Sequence, residues 1–247
     1  TNWVTYILGS YSECQTFSFA EAFLFLTKED RNRADNLFGL LGKVAILPIC
    51  LEKKLLVKTE KDYSKVRILC SGSLWYGPNA QGIIWFLKKV WPQLIKVCRT
   101  EVEVVIAGRK PSAELMSLAS QMHHVQIYSS PSREFMDELF RSSDFYVAPV
   151  FSGSGMKVKI AEALSYNLQV VSSEHAAIGY DVAIDSGVVQ VCSNSADEWL
   201  EKMLNKISNL KNDDKSFICF QQNYSLERSS CVFCRFIRDV LSERKIK

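Results

Sequence analysis

The 247-residue sequence lacks a long apolar run, a strong excess of one charge and a recognisable leader. No stretch approaches the roughly eighteen apolar residues that a membrane-spanning helix requires, and the first ten residues do not have the layout of a signal peptide. The 30 basic and 27 acidic side chains leave a net charge of +3, too small to indicate a nucleic-acid surface. We therefore expect a soluble, intracellular, globular protein with no transmembrane segment and no nucleic-acid partner.

Histidine is scarce, and the eight cysteines are scattered, which argues against a metal centre or a disulfide scaffold. Most of the cysteines lie in apolar patterns, so we expect buried, reduced thiols. Cys231 and Cys234 have redox or zinc spacing, but a second such pair and a nearby histidine are missing, so packing is the favoured interpretation. We therefore expect no metal ligands. His123 and His124 precede a predicted strand, whereas His175 follows one on the side of the sheet where ligands bind.

From Val66 onward, short β-branched runs alternate with longer amphipathic stretches. This alternation predicts an α/β fold in which a doubly wound parallel sheet, Rossmann-like, is covered by helices on both faces. The predicted strands are Val66–Ser71, Val102–Ala107, Val125–Tyr128, Phe145–Val150, Leu168–Ser172 and Val188–Cys192.

Capping residues predict where the helices between these strands begin. Asn79 is expected to cap the first helix, and Pro92 to kink or break it. The dipeptide Ser130–Pro131 is expected to start another helix. The segment Ser195–Glu198 has the spacing of a capping box for a third.

The two ends of the chain differ from this central region. Ala22–Thr27 and Val44–Cys50 are predicted strands, and Lys28–Leu41 is a charged helix between them. One such unit needs more sheet beside it, so either a larger domain is incomplete here or the unit docks on the main domain. Leu51–Lys65 is predicted to be a charged linker. Ser225–Leu241 is predicted to be an amphipathic helix, whose apolar face comprises Phe233, Phe236, Ile237, Val240 and Leu241.

Gly153–Leu164 is the strongest candidate for a binding site, because a glycine-rich turn follows an apolar strand and leads into a helix. Glycines let a backbone approach an anion closely, and the free N–H groups of a helix start point toward it. Many ordinary turns also use glycine, so the pattern alone leaves both a phosphate site and a plain turn open.

Helical spacing from Gly155 onward would place Lys159 and Glu162 on the same face as Gly155, with Val158 and Ile160 toward the core. The helical distance from Gly155 to Glu162 is about 10 Å. A diphosphate at the helix start would therefore leave an attached ribose near the Glu162 carboxylate, which can accept hydrogen bonds from two vicinal hydroxyls.

This stretch resembles the donor site of retaining GT-B glycosyltransferases of the glycogen-synthase-like group (glycosyltransferase family 4, group 1 type). In that group a glycine-rich loop leads into Lys-Ile-x-Glu-Ala-Leu. Residues Ala22–Leu51 resemble the end of the N-terminal domain of such enzymes. Other similar motifs, in the family's order and spacing, are Cys70–Leu74, Pro78–Asn79, Trp85–Leu87, Val105–Arg109, Asp144–Pro149, Val170–Ser173 with Gly179, and Tyr224–Glu227.

The resemblance implies the architecture and activity of the chain. Residues 1–63 would be a remnant of the N-terminal domain and a linker, residues 64–224 the nucleotide-sugar-binding domain, and residues 225–247 a C-terminal helix. A sugar would pass from a nucleotide-diphosphate sugar to a glycan or lipid-linked acceptor with retention, in polysaccharide biosynthesis and without a bound cofactor. The enzyme would be cytoplasmic, with a peripheral position at the inner membrane face left open. Much of the catalytic machinery belongs to a partner N-terminal domain, so the chain alone is expected to be inactive.

The resemblance also implies individual roles. Glu162 would bind the donor ribose, Lys159 would hold the diphosphate, and Arg109 would supply a basic group at a strand end. A solvated loop charge is the alternative for Arg109. A strand-end glycine without a ligand is the alternative for Gly72. The residues expected to contact the donor are Gly72, Ser73, Tyr128, Gly153, Ser154, Gly155, Met156 and Lys157.

Two positions depart from the family's pattern. Ser154 stands where many members have an acidic residue that contacts the donor sugar, so recognition of the sugar stays open. A basic residue after the first strand is not evident in Ser73–Asn79, which leaves Lys157, Lys159 and Arg109 to neutralise phosphate.

Three alternatives remain at this point. A sugar-nucleotide epimerase would share the fold but would also need a complete second domain. A non-catalytic nucleotide-binding or scaffold subunit could act through a separate catalytic partner. A redox or zinc module would depend on Cys231 and Cys234 alone.

Overall fold

The computed structural model describes residues 12–54, 64–210 and 213–244 of the chain. The first of these segments forms a small unit, in which a helix, α1, includes residues 12–19. It is followed by β1 (Ala22–Phe25), α2 (Lys28–Phe38) and β2 (Lys43–Ile46). The strands β1 and β2 pair in parallel as a two-stranded sheet. The predicted strand–helix–strand order is confirmed, with shorter elements than the sequence suggested.

A six-stranded sheet dominates the rest of the described chain. Its strands are β3 (Lys65–Ser73), β4 (Glu101–Arg109), β5 (Val125–Ser129), β6 (Phe145–Ala148), β7 (Gln169–Ser173) and β8 (Val189–Cys192). Every neighbouring pair is parallel. All six strands that the β-branched runs predict are present, with bounds within about two residues of those expected.

Helices cover both faces of this sheet, which confirms the doubly wound prediction. One face carries α3 (Gly77–Lys89), α4 (Trp91–Val97), α5 (Ala113–Ser120) and α9 (Ala196–Ser208). The other carries α6 (Arg133–Ser142), α7 (Val158–Ser165), α8 (Asp181–Asp185) and α10 (Lys215–Asn223). Trp91 and Trp199 anchor the first core, and Phe140 and Tyr146 the second; all four are fully buried.

The spatial order of the strands is β5-β4-β3-β6-β7-β8, so the chain reverses its direction of progress between β3 and β6. Open α/β sheets bind ligands at such a switch point, in the crevice beyond the carboxyl ends of the strands. The β3–β6 ladder is short, because only Ile68 with Phe145 and Leu69 with Tyr146 are paired. The two strands therefore separate before they reach the crevice.

The first helix of the domain begins earlier than its sequence suggests. Helix α3 starts at Gly77 with Tyr76 as its N-cap, and Pro78 occupies one of the first two helical positions. Asn79 is therefore inside the first turn, where its side-chain amide donates to the Ser73 carbonyl at 3.1 Å. The predicted Asn79 cap is wrong. The predicted break near Pro92 is confirmed, since α3 and α4 are separate helices.

Serine residues cap the other two helices whose starts were predicted. Helix α6 begins after Ser132, whose hydroxyl accepts from the Phe135 N–H, and not at the predicted Ser130. Ser130 adopts a φ of 52°, which is incompatible with a helix. Ser195 caps α9 as predicted, accepting from the Glu198 N–H.

The start of the predicted linker is attached to the main domain. The Leu51 N–H donates to the Tyr224 carbonyl at 3.0 Å, and the Leu51 carbonyl accepts from the Leu226 N–H at 2.9 Å. Lys54 forms an ion pair with Asp137 at 3.3 Å. Residues 55–63 of the predicted linker lie outside the described residues.

The last helix, α11 (Leu226–Arg244), corrects two expectations. Phe233, Ile237 and Leu241 of its predicted apolar face are exposed, whereas Phe236 and Val240 are half-buried. Cys231 and Cys234 are also exposed, so the expectation that they pack in the interior is wrong. The cysteines that are buried as expected are Cys70, Cys192 and Cys219.

A buried glycine on α3 determines how closely this helix approaches the segment after β6. Gly82 lies against the Pro149 carbonyl, and a Cβ atom added to Gly82 would overlap that oxygen. Helix α3 therefore packs directly on the backbone that leads to the glycine-rich turn.

Candidate functional site

The carboxyl ends of β3 and β6 bring together two segments that are distant in the sequence. Strand β3 ends at Ser73, and the chain continues through Trp75 and Tyr76 into α3. Strand β6 is followed by residues 153–157, which we call the glycine loop. A Cβ atom placed on Gly153 would lie 3.1 Å from the Tyr76 hydroxyl, so the two segments face each other across the crevice.

The glycine loop needs glycine at two positions. Gly153 has a φ of 106° and Gly155 a φ of 68°, both in the region that other residues rarely adopt. Helix α7 begins after the loop, at Val158, with Lys157 as its N-cap. The expected helical face starting at Gly155 is therefore wrong, because a positive φ cannot continue into a helix. Val158 is also 42% exposed instead of facing the core.

Lys157 closes the glycine loop on itself. Its ammonium donates to the carbonyls of Ser154 at 2.9 Å and Gly155 at 3.0 Å. Burial lowers the pKa of Lys157 from its usual value. Among the described residues, no carboxylate forms an ion pair with this lysine. The partners of this positive charge among the described residues are thus two loop carbonyls.

Met156 anchors the same loop in the protein interior. Its side chain is buried, and its sulfur accepts from the Ile49 N–H at 3.4 Å. A Cβ atom on Gly179 would lie 3.2 Å from that sulfur, so the packing is close. Only the backbone of Met156 is available to a ligand, whereas Ser154 is exposed.

Lys159 and Glu162 lie on the first turns of α7 and form an ion pair at 2.6 Å. Both side chains line a cavity of about 570 Å³, a volume within the usual range for small-molecule sites. Much of its remaining wall comes from Arg133 and Met136 of α6, from residues 50–52 and from Lys54. The predicted ribose-binding carboxylate therefore faces a cavity and already has a cationic partner.

Asp137 links the wall of this cavity to the linker. Its carboxylate accepts from the Tyr166 hydroxyl and from Lys54. Burial tends to raise the pKa of Asp137, but these hydrogen bonds outweigh it and hold the pKa below its usual value. The carboxylate is consequently charged at neutral pH and holds Lys54, at the start of the linker, in place.

Arg109 and Tyr128 lie further along the same edge of the sheet. Arg109 ends β4, is exposed, and is paired in register with Ser73. Tyr128 lies on the edge strand β5, where its hydroxyl donates to Gln126 at 2.8 Å and its ring packs edge-on against Phe135. Within the described chain, no hydrogen bond or ion pair joins either residue to the glycine loop.

The absence of a side chain at Gly72 makes room for the side chain of Asn79. A Cβ atom on Gly72 would lie 3.0 Å from the side-chain nitrogen of Asn79. That amide donates to the carbonyl of Ser73, which also accepts from the Tyr76 N–H at 3.1 Å. The end of β3 is therefore held rigidly, and space for a donor beside Gly72 stays a prediction.

Three residues at this edge were not predicted to bind the donor. Trp75 and Tyr76 are 62% and 41% exposed although they are aromatic, and their rings meet edge to face. The only signal for them in the sequence is their position directly after a predicted strand. His175 follows β7, and its buried Nε2 atom has no hydrogen-bond partner among the described residues.

In residues 12–54, 64–210 and 213–244, no three histidine, cysteine or acidic side chains are close enough to hold a metal ion. No helix in these ranges has both the length and the apolar character needed to cross a bilayer.

Comparison with known proteins assigns a family to this arrangement. A family model described as glycosyl transferases group 1 matches residues 65–209, more than half of the chain. A protein of Klebsiella pneumoniae, described as an uncharacterized 44.6 kDa protein in the cps region, is 23% identical over 228 residues. That alignment covers 88% of this chain and 56% of the relative, so the chain spans little more than half of its curated relative.

Solved structures agree on the fold. Sucrose-phosphate synthase from Thermosynechococcus elongatus matches with a TM-score of 0.73 and 11% identity, over 95% of this chain and 62% of the synthase. The pneumococcal O-GlcNAc transferase GtfA, solved in complex with UDP and GlcNAc, matches with a TM-score of 0.66 and 13% identity. That match covers 94% of this chain and 47% of the transferase. The fold is therefore the Rossmann-like fold of GT-B proteins.

Proposed function

The chain belongs to the glycosyl transferases of group 1, and from this membership we propose that it binds a nucleotide-diphosphate sugar in the crevice between β3 and β6. The observation that carries the proposal is the position of the glycine loop and Lys157 at the switch point of the sheet. Transfer of the sugar releases a nucleoside diphosphate, whose charge this loop is suited to stabilise.

The diphosphate would bind at the glycine loop. The exposed backbone around Ser154 and Gly155 and the N-terminal end of α7 present N–H groups to an anion. Lys157 adds a positive charge that no described carboxylate neutralises. Such fixed donors stabilise a leaving group without reorganisation, so the chemistry needs no bound cofactor. Arg109 is exposed at the same edge and is a further source of positive charge.

The nucleoside would occupy the neighbouring cavity. Glu162 lines this cavity and is oriented by Lys159, so its carboxylate is suited to accept hydrogen bonds from the ribose. The base would lie toward the start of α6, near Arg133 and Tyr128. The cavity volume of about 570 Å³ is sufficient for a nucleoside.

The complete reaction would require more protein than this chain. The sugar would pass to a glycan or lipid-linked acceptor, and retention of its configuration is inferred from the family resemblance of residues 153–164. A complete N-terminal domain would supply the acceptor side of the cleft. We also propose a cytoplasmic location for the enzyme.

Calorimetric titration of the chain with UDP, GDP, ADP and free glucose tests the proposal. At least one nucleoside diphosphate should bind with a Kd below about 1 mM, and glucose should not. Lys157→Ala should weaken this binding by about tenfold or more, as expected for loss of a charged hydrogen-bond donor. Lys88→Ala removes an exposed lysine on α3 that pairs with Glu114, and should leave the affinity unchanged. Absence of heat with all three nucleotides at millimolar concentration would contradict the proposal.

A further inference from the structure

Tyr76 is held in a defined position at the wall of the crevice opposite the glycine loop. Its backbone N–H donates to the Ser73 carbonyl at 3.1 Å, and its carbonyl accepts from the N–H groups of Asn79 and Ala80, both at 3.1 Å. The ring packs edge to face on Trp75, with centroids 6.2 Å apart. The backbone of Tyr76 is therefore held in place before any ligand binds.

The hydroxyl of Tyr76 and the ammonium of Lys157 reach toward the same point. A Cβ atom on Gly153 would lie 3.1 Å from the Tyr76 Oη and 3.6 Å from the Lys157 Nζ. One group comes from the β3–α3 connection and the other from the loop after β6. Their convergence above Gly153 forms a site with donors on both walls of the crevice.

Both groups have hydrogen-bonding capacity to spare. No described residue forms a hydrogen bond with the Tyr76 hydroxyl, and the residue is 41% exposed. The Lys157 ammonium has three N–H donors, and two of them are directed at loop carbonyls. A hydroxyl, an ammonium N–H and an unbalanced positive charge together favour an anion with several acceptor oxygens.

The sequence of the connection between β3 and α3 also indicates that Tyr76 contacts this anion. Residues 73–79 contain no lysine or arginine, so the connection between β3 and α3 offers no cationic side chain to a phosphate. The hydroxyls of Ser73 and Tyr76 are the side-chain O–H donors in that segment, and Tyr76 is the one directed at Gly153.

We infer that the Tyr76 hydroxyl binds the substrate directly, donating a hydrogen bond to the terminal phosphate of the donor's diphosphate opposite Lys157. This inference rests on the proposed function and identifies a contact within it. When the bond between the sugar carbon and the phosphate oxygen breaks, its electron pair stays on that oxygen. The hydrogen bond becomes stronger as this charge grows, and the proton remains on Tyr76.

The test compares Tyr76→Phe with the unchanged chain by calorimetry, because this substitution removes the hydroxyl and keeps the ring. The probes are the tightest-binding of UDP, GDP and ADP, and the corresponding monophosphate. The variant should bind the diphosphate about tenfold more weakly, as expected for one hydrogen bond to a charged group. Its affinity for the monophosphate should change less than about twofold, because that ligand lacks the terminal phosphate.

Ser120→Ala is the control, since it removes an exposed hydroxyl at the C-terminal end of α5 and should leave both affinities unchanged. Thermal melts establish that both variants are folded. Equal diphosphate affinity in Tyr76→Phe and the unchanged chain would overturn this inference but leave the proposed function standing. An equal weakening of diphosphate and monophosphate binding would also overturn it, because Tyr76 would then act only through the shape of the site. If the unchanged chain binds none of the three diphosphates, the proposed function itself fails.

Discussion

The Tyr146 hydroxyl satisfies both backbone polar groups of Ser71, accepting from the N–H at 3.1 Å and donating to the carbonyl at 2.9 Å. In a regular sheet these groups would bond to the neighbouring strand. Here the β3–β6 ladder has already ended at Leu69, so the Tyr146 side chain provides these hydrogen bonds at the point where the two strands separate. The crevice above Ser71 can open without leaving buried backbone groups unpaired.

Tyr146→Phe should therefore destabilise the fold. Two buried backbone groups would lose their partner, and we expect the free energy of unfolding to fall by about 1–3 kcal/mol. Calorimetric melting should show this as a decrease in Tm of roughly 2–4 °C for each kcal/mol. Tyr128→Phe is the control, because its hydroxyl contacts the exposed side chain of Gln126. An unchanged Tm in Tyr146→Phe would show that water or a shifted strand can replace the hydroxyl.

Glu162→Ala should weaken nucleotide binding without unfolding the chain. The loss of a charge-assisted hydrogen bond to the ribose predicts about 1–3 kcal/mol. Because ribose is common to both ligands, the monophosphate and the diphosphate should lose affinity by the same factor in calorimetry, unlike the pattern expected for Tyr76→Phe. Glu201→Ala, an exposed glutamate on α9, serves as the control. If Glu162→Ala binds both nucleotides as tightly as the unchanged chain, Glu162 does not contact the ribose and serves only as the ion-pair partner of Lys159.

Acid should destabilise the fold partly through Glu103. This carboxylate is buried and paired with Lys65 at 2.8 Å and Arg67 at 2.5 Å. Burial tends to raise the pKa of Glu103, but hydrogen bonds from Lys65 and Arg67 outweigh it and hold the pKa below its usual 4.5. A lowered folded-state pKa contributes stability that is present above the unfolded pKa and lost as pH falls through the folded value.

Glu103→Gln should accordingly lower the free energy of unfolding by about 1–2 kcal/mol at pH 7. The difference from the unchanged chain should shrink as the pH falls below the unfolded-state value of 4.5, because Glu103 itself becomes protonated there. Urea unfolding at pH 7, 4 and 3 measures this. A difference that is constant with pH would mean that the charge of Glu103 contributes nothing.

The 247 residues alone should bind the donor but show negligible transferase turnover. The chain spans 56% of its curated relative, and its first segment supplies a two-stranded sheet. Acceptor binding and closure of the cleft would depend on a second domain. Assays with a nucleotide sugar, with and without a separately prepared N-terminal domain, measure this directly. Turnover of about 1 per second or faster by the chain alone would contradict the expectation.

The sheet could be predicted because its strands are short β-branched runs with clear ends. Helix starts were harder, as the two serines that flank Pro131 show. Both Ser130 and Ser132 are good capping residues. The Ser130 N–H donates to the Gly108 carbonyl at 2.8 Å, which gives Ser130 a positive φ and leaves Ser132 as the cap. That contact involves a neighbouring strand and is not visible in the local sequence.

The site could be predicted in part. The glycine-rich pattern identified the loop, and the positive φ values of Gly153 and Gly155 show why glycine is required. Tyr76 could not be identified, because its hydroxyl meets Gly153 only after two distant strands are placed side by side. Periodicity likewise indicated the apolar face of α11 but not what covers it, and Phe233 is exposed.

Gly82 affects the width of the crevice, although it is not one of the proposed ligand contacts. The Pro149 carbonyl occupies the volume that a Cβ atom on Gly82 would need, so any larger residue must push α3 and the root of the glycine loop apart. Tyr76 is the N-cap of that same helix. A displacement of α3 would thus move one wall of the crevice relative to the other. The missing side chain at Gly82 therefore determines how closely Tyr76 approaches Gly153.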